Sequence, residues 1–452
     1  MPRTFIVLAA LAIVVTAPAA VSAAGIDPGD RPVPSPEQRA WHEMEFIAFA
    51  HFGVNTFTDR EWGDGKENPR LFNPTAFDAT QWVDACKAAG MKMLILTCKH
   101  HDGFCLWPSA CTDHDVAASP WRGGKGDVVR EVADACRAGG IAFGVYCSPW
   151  DRHEPAYGSD AYNDHFVNQL TELLTRYGKV TEVWFDGACG EGPNGRKQVY
   201  DWKRYFATVR RLQPHALIAI MGPDIRWVGN ENGLAAETEW SARDGRWHPA
   251  ECDVSIRPGW FYHAKQDGKV KSLDHLLTIY YSSVGRNSVL LLNVPPDRRG
   301  LFHEADVARL KELRRVLDAT FKVDLAAGAK VDASSARNAD HGPAGAVDGR
   351  GETFWMAAGD GSKPETLTVD LGAAKTFDAV LIQERIALGQ RIERFRVEAR
   401  REGDWKKVAE GTTVGHKRLL RIEPATARQV RLVIEKARGG PTVRRFGLFK
   451  RP

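Results

Sequence analysis

One helix-strand unit is used twice in this chain, and that repeat narrows the fold more than any other feature. The segments WVDACKAAGMKMLILTCKHHDG (82–103) and EVADACRAGGIAFGVYCSPWD (131–151) share a D-A-C-[KR]-A-x-G helix ending and then an apolar strand. Glycine stops each helix, because it alone takes a left-handed backbone without strain, and each strand ends in polar and aromatic residues. Further units flank the pair. FIAFAHFGVNTF reads as a strand, and AYNDHFVNQLTELLTRYGK as an amphipathic helix leading into the strand TEVWFDG. VYDWKRYFATVRRLQP leads into ALIAIMGPD, HLLTIYYSSVGRN into SVLLLNVPPD, and the helix EADVARLKELRRVLDATF closes the series. Strands alternating with helices predict a parallel sheet, either a (β/α)8 barrel or an open doubly wound sheet. No G-x-G-x-x-G opens the first helix and no P-loop is present. The barrel is therefore expected, over residues 32–322.

After about residue 321 cysteine disappears, helical periodicity stops, and short alternating strands take over, among them ETLTVDLG, FDAVLIQE, RFRVEARR, RLLRIEP and ARQVRLVIE. Turn residues separate them at β-sandwich spacing, which predicts an all-β domain over 323–452, packed on the barrel with almost no linker. At the other end, Arg3, an apolar run over residues 5–15 and small residues at Val21 and Ala23 predict an export signal over residues 1–23, cleaved after Ala23. The run is too short for a comfortable membrane span, and no other segment approaches that length. The protein is thus expected to be exported, to a periplasm or the medium. A net charge of +4 from 61 basic and 57 acidic residues, with no long run of one sign, excludes a nucleic-acid-binding surface. All eight cysteines lie between Cys86 and Cys252, mostly inside apolar patterns where cysteine acts as a small hydrophobe. Cys105 and Cys111 in CLWPSAC are the only close pair that a loop disulfide could join, and most thiols are expected to be free.

In a barrel the chemistry gathers at the C-terminal strand tips. The first tip carries His51 with Glu61 and Trp62 beyond it, the second His100 and His101, the third Tyr146, and the fourth Trp184 and Asp186. The fifth leads into GPDIRWVGNENG, with Asp224, Arg226 and Glu231, and a later loop, RPGWFYH, holds Trp260 and Phe261. Imidazoles, a tyrosine and an arginine hydrogen-bond to vicinal hydroxyls, and indole faces cover the apolar side of a pyranose, so the tips read as a sugar site. Two carboxylates on different tips supply what retaining glycoside hydrolysis needs. Asp186, fixed at a strand end, suits the nucleophile. Glu231, on a glycine-flanked loop, suits the acid/base.

HFGVNTF, KHHDGFCLWPS, EVWFDG, GPDIRWVGNE and LLLNVPPDRRG, in order across residues 40–320, resemble the motifs of the α-L-fucosidases of glycoside hydrolase family 29. The resemblance implies Asp186 as nucleophile and Glu231 as the acid/base of the branch acting on α-1,3/1,4-linked fucose, with Glu237 and Glu239 in AAETEW as rival acids. It implies fucose contacts from His51, Glu61, Trp62, His100, His101, Tyr146, Trp184 and Arg226; Trp260 joins them on its place in the loop. The implied substrate is a fucosylated oligosaccharide or glycoconjugate, the reaction needs no cofactor, and no catalytic metal is expected. AVDGRGETFW (346–355) and RQVRLVIEKARGGPTVRRFGLF (428–449) resemble a discoidin, or factor 5/8 type C, sandwich. Such domains often hold a structural calcium near this turn, which would make Asp348 a ligand, although Asp-Gly is a good turn former by itself.

Three other readings compete. One is a fucosidase of broad linkage specificity. Another is a metal-dependent barrel hydrolase using His51, His100, His101 and Asp186; adjacent histidines on a strand would point to opposite faces, which argues against it. The third is a catalytically dead glycan-binding protein, against which stands the presence of both carboxylates.

Overall fold

The computed structural model describes residues 31–452, so the expected export signal lies outside the described residues. Eight strands form the parallel sheet of the first domain: β1 (Phe46–Ala50), β2 (Met93–Lys99), β3 (Ala142–Cys147), β4 (Glu182–Phe185), β5 (Leu217–Ile220), β6 (Arg226–Trp227), β7 (Ala250–Ser255) and β8 (Val289–Asn293). They pair in parallel in the spatial order β5-β4-β3-β2-β1-β8-β7-β6. A bridge between Ala219 and Ile225 brings β5 to β6, so the sheet is a nearly closed barrel. The turn between them strains Ile220 to φ 68°, a region that β-branched residues avoid.

The repeated unit folds as its sequence predicts. Asp78 caps the helix Ala79–Ala89 by accepting the Thr80 and Gln81 amides, and Asp127 caps Val128–Gly139 through the Arg130 amide. Both helices end on a left-handed glycine, Gly90 (φ 81°) and Gly140 (φ 71°), and β2 or β3 follows. Each helix buries one face on the strands; the Cys86 and Cys136 side chains lie in that layer. FIAFAHFGVNTF is strand only to Ala50; a short helix, Val54–Thr58, ends it and turns the chain after His51. Inside the barrel a separate cluster includes Ile47, Phe49, Ile95, Tyr146, Trp184 and Leu291. Trp41, on the helix Pro36–Met44, joins this cluster and is fully buried.

The second domain is antiparallel, with strands at Lys330–Ala333, Glu365–Gln383, Ile392–Arg401, Asp404–Gly411, Arg418–Ala437 and Arg445–Phe449 around their own core. ETLTVDLG and FDAVLIQE form one strand rather than two. Gly372 (φ 76°) and a register shift between Asp370 and Lys375 absorb the expected turn as a bulge. RLLRIEP and ARQVRLVIE merge in the same way into Arg418–Ala437. The sandwich touches the barrel through an Arg286–Arg418 bridge and an edge-on contact of Phe321 with Phe449, ring centres 5.1 Å apart. All eight cysteines are free, so Cys105 and Cys111 are not joined. Asp348 caps its own turn, accepting from the Arg350 amide (2.9 Å) and the Thr353 hydroxyl (2.8 Å). Among the described residues no group of three or more His, Cys, Asp or Glu side chains could hold a metal, so Asp348 has no second and third such side chain to join it in holding a cation. No helix among them is long and apolar enough to cross a membrane.

Candidate active site

A cavity of about 310 Å³ opens at the C-terminal mouth of the barrel, where strand tips converge. Asp186 lies on its wall, one residue past β4. The Tyr146 hydroxyl donates to Asp186 Oδ2 (2.9 Å) and the Ala188 amide to Oδ1 (2.7 Å). One bond to each oxygen fixes the plane of the carboxylate, while 24 % of the side chain stays exposed. Glu231 comes from the loop after β6, and the Trp260 indole N–H reaches its Oε2 at 3.3 Å.

Three imidazoles line the same cavity, and burial keeps all of them neutral at ordinary pH. It pulls His51 down to about 3, His101 to about 4 despite the attraction of Asp186, and His100 well below its usual value. Their tautomers follow from their partners. Asn293 at the end of β8 donates through Nδ2 to Ser255 Oγ (2.9 Å) and the Trp260 carbonyl (2.8 Å). Its Oδ1 therefore accepts from His51 Nδ1 (2.9 Å), leaving Nε2 with a lone pair. Ser148 gives its hydroxyl proton to the Trp150 carbonyl (2.8 Å) and accepts from His101 Nδ1 (2.7 Å). His101 Nε2 is likewise an acceptor, 3.8 Å from Asp186 Oδ2, so this contact is not an ion pair. His100 and His101 do not point to opposite faces, as adjacent strand residues would. Both follow the end of β2 in a turn, their ring centres are 4.1 Å apart, and both line the cavity.

Phe49, Trp184 and Trp260 supply an apolar wall, and Trp62, 57 % exposed, stands edge-on to His101 at the rim. Glu61 also lines the cavity. It accepts the Trp260 amide (2.8 Å) and meets His263 Nε2 (2.5 Å), whose Nδ1 meets Asp59 (2.7 Å). This carboxylate passes so close to Gly259 that a Cβ there would lie 2.0 Å from Glu61 Oε1, so a larger residue would have to push the Glu61 carboxylate aside.

Besides the histidine pair, the geometry departs from the sequence reading at Arg226, Asp224 and Asp253. Arg226, expected as a sugar contact, is paired with the buried Glu239 and is not among the residues lining the cavity. Successive residues of a strand face opposite ways, and on β6 it is Trp227 whose indole reaches a lining residue, donating to Asp253 (2.7 Å), although Trp227 itself does not line the cavity. Glu237 and Glu239, the rival acids, are tied to arginines away from the cavity, Glu237 to Arg286 and Arg418. Asp224 is structural, accepting the Ile218 amide (2.7 Å) and pairing with Arg210. Asp253 on β7 was not anticipated. It lines the cavity, and burial, with Glu231 and Asp186 adding to it, pushes its carboxyl up to about 7.

Beneath the site two further acids face each other inside the barrel. Trp184 donates to Glu251 Oε2 and Trp41 to Glu182 Oε2, each at 2.8 Å. Both carboxyls are fully buried, and neither Oε1 has another hydrogen-bond partner among the described residues; burial and mutual repulsion raise Glu251, and burial raises Glu182. Two buried acids side by side are expected to share one proton. Glu251→Gln, whose amide replaces that proton, is expected to leave stability nearly unchanged. Glu251→Ala, which strands the Trp184 indole and opens a cavity, should cost about 3 kcal/mol in chemical denaturation. Equal losses in the two variants would contradict the shared proton.

Comparison with known proteins places this site in context. A family model described as alpha-L-fucosidase matches residues 32–320, and one described as F5/8 type C domain matches residues 330–446. Alpha-L-fucosidase 1 of Arabidopsis thaliana is 44 % identical over 447 residues, spanning 92 % of this chain and 87 % of that protein. The human tissue alpha-L-fucosidase is 31 % identical over 199 residues, 35 % of this chain and 40 % of that protein. Among solved structures, the one described as SpGH29 superposes with a TM-score of 0.89 at 42 % identity, covering 93 % of this chain and 99 % of that one. A Ruminococcus gnavus GH29 fucosidase in complex with fucose gives 0.87 at 36 % identity, covering 94 % and 96 %.

Proposed function

We propose, from the premise that the chain belongs to glycoside hydrolase family 29 and is an α-L-fucosidase, that it is a retaining exo-enzyme acting outside the cytoplasm on α-1,3/1,4-linked fucose. The observation that carries the mechanism is the Asp186 carboxylate, held by one hydrogen bond on each oxygen at a cavity that Glu231 also lines. Asp186 attacks C1 of the fucose while Glu231 protonates the glycosidic oxygen, and the bond to the aglycone breaks. The product of this step is a β-linked fucosyl ester on Asp186. Glu231 then takes a proton from water, whose oxygen attacks C1; the ester bond breaks and α-L-fucose leaves with its configuration retained.

The remaining residues fit fucose as the occupant. The free Nε2 atoms of His51 and His101 accept from its hydroxyls, and the neutral state of both rings keeps those lone pairs available. Phe49, Trp184 and Trp260 suit the 6-deoxy carbon, which brings no hydroxyl that would need a partner.

The linkage reading rests on the GPDIRWVGNENG loop and on the exposed rim. Trp62 (57 % exposed) and Trp227 (41 %) present indole surface on which a neighbouring galactose can stack. Binding energy from that second sugar is then spent on the reaction, so truncated substrates lose rate and not only affinity. Lewis a or Lewis x glycans are expected to be cleaved at least about 10-fold faster in kcat/KM than 2′-fucosyllactose or nitrophenyl fucoside. A digestion panel measures this, and equal rates on all substrates would favour the broad-specificity reading.

A further inference from the structure

The loop that carries Glu231 is staked at both ends, and both stakes lead to the second domain. At its start, Arg226 on β6 is pinned by Glu239. At its end, the Ala235 carbonyl accepts from Arg286 Nη1 (2.8 Å), and Arg286 is paired with Glu237. Glu237 and Glu239 sit in one short segment, 237–241, which the sandwich grips along its length. Arg418, 2 % exposed, pairs with the Glu237 carboxylate, and Thr412 donates to the Glu237 carbonyl (2.9 Å). Gln390 accepts the Ser241 amide (2.9 Å), and the Arg438 guanidinium lies 4.3 Å from the centre of the Trp240 ring. Asn287, at φ 63°, closes the junction: its Nδ2 donates to the Glu239 carbonyl (3.0 Å), and its Oδ1 accepts the His416 amide (2.7 Å).

We propose that the β-sandwich is a working part of the catalytic apparatus, with Arg418, Gln390 and Thr412 acting as positioning residues for Glu231 through segment 237–241. This rests on Glu231 being the acid/base. Nothing in the sandwich reaches the cavity, so its effect on the reaction is confined to the placement of the Glu231 loop. Asp186 is placed independently by Tyr146 and the Ala188 amide, both on the barrel. The device therefore predicts damage to proton transfer and not to attack.

The test is Arg418→Met in the full chain. Glu237 is half exposed and keeps Arg286, so the variant does not bury an unpaired charge. Its kcat/KM on a Lewis trisaccharide, whose leaving oxygen needs a proton, should fall about 10-fold or more. On 2,4-dinitrophenyl α-L-fucoside, whose leaving group needs none, it should stay within about 3-fold. Adding Arg418→Met to Glu231→Gln should change neither rate further, because the group being positioned is already gone. Gln390→Ala should show the same substrate split at smaller size, and it carries the test if Arg418→Met fails to fold. An equal loss on both substrates, no loss on either, or additive losses in the double variant would overturn the proposal. Glu231→Gln measured alone separates the two claims: if it shows no dependence on the leaving group, the acid/base assignment itself fails.

Discussion

Asp186→Ala is expected to lower kcat/KM at least about 10³-fold on every fucoside, activated or not, because no bond to C1 can form in its absence. The protein should still fold. The side chain is partly exposed at a strand tip, and its loss leaves the Tyr146 hydroxyl and the Ala188 amide without this partner, each worth about 1 kcal/mol. With an activated fucoside, azide should restore turnover of Asp186→Gly by entering the space the carboxylate leaves, and the product should be the β-fucosyl azide. Activity close to that of the unaltered protein would remove Asp186 from the mechanism.

Glu231→Gln is expected to show a different pattern of loss. Proton transfer from a placed acid contributes about 10²–10⁴-fold, so cleavage of natural glycans should fall by that amount. The first step on 2,4-dinitrophenyl fucoside should be nearly untouched, which a pre-steady-state burst would show. Azide should rescue the second step here too, but with retention, giving the α-fucosyl azide. The two anomers of one product thus separate the roles of the two carboxylates. A uniform loss on good and poor leaving groups would place the acid elsewhere, and Asp253, which lines the same cavity and is pushed up to about 7 by burial, would be the next group to alter.

The barrel was legible because its helices announce their own ends. Aspartate caps at Asp78 and Asp127 and left-handed glycines at Gly90 and Gly140 bracket each unit, and the tips that follow carry His100, His101 and Tyr146. Such signals are local, so one sequence suffices to read them. What stayed hidden depends on long-range pairing. AECDVS gives no apolar stripe because its inward positions are Glu251, Asp253 and Ser255, and these are tolerable only beside Glu182, Trp184, Trp227 and Asn293 from other strands. Arg226 and Trp227 differ by one position, and the two-residue strand holding them is too short for its alternation to be read without its partner β7. The histidine pair was misjudged for the converse reason: the rule for strands was applied one residue past the end of a strand. Glu237 and Glu239 look like spare acids in the sequence. Their arginines lie on both domains, and one of them, Arg418, follows Glu237 by 181 positions.

The central event of the mechanism is a covalent bond between fucose and Asp186. A 2-deoxy-2-fluoro-fucosyl fluoride forms the ester quickly, since fluoride leaves without a proton, and hydrolyses it slowly, since fluorine at C2 disfavours the oxocarbenium-like transition state. Mass spectrometry of the inactivated, digested protein should find one added fluorofucosyl group, on the peptide containing TEVWFDG and at Asp186. An adduct on Glu231 or Asp253, or no adduct together with release of β-fucose from an ordinary substrate, would contradict it.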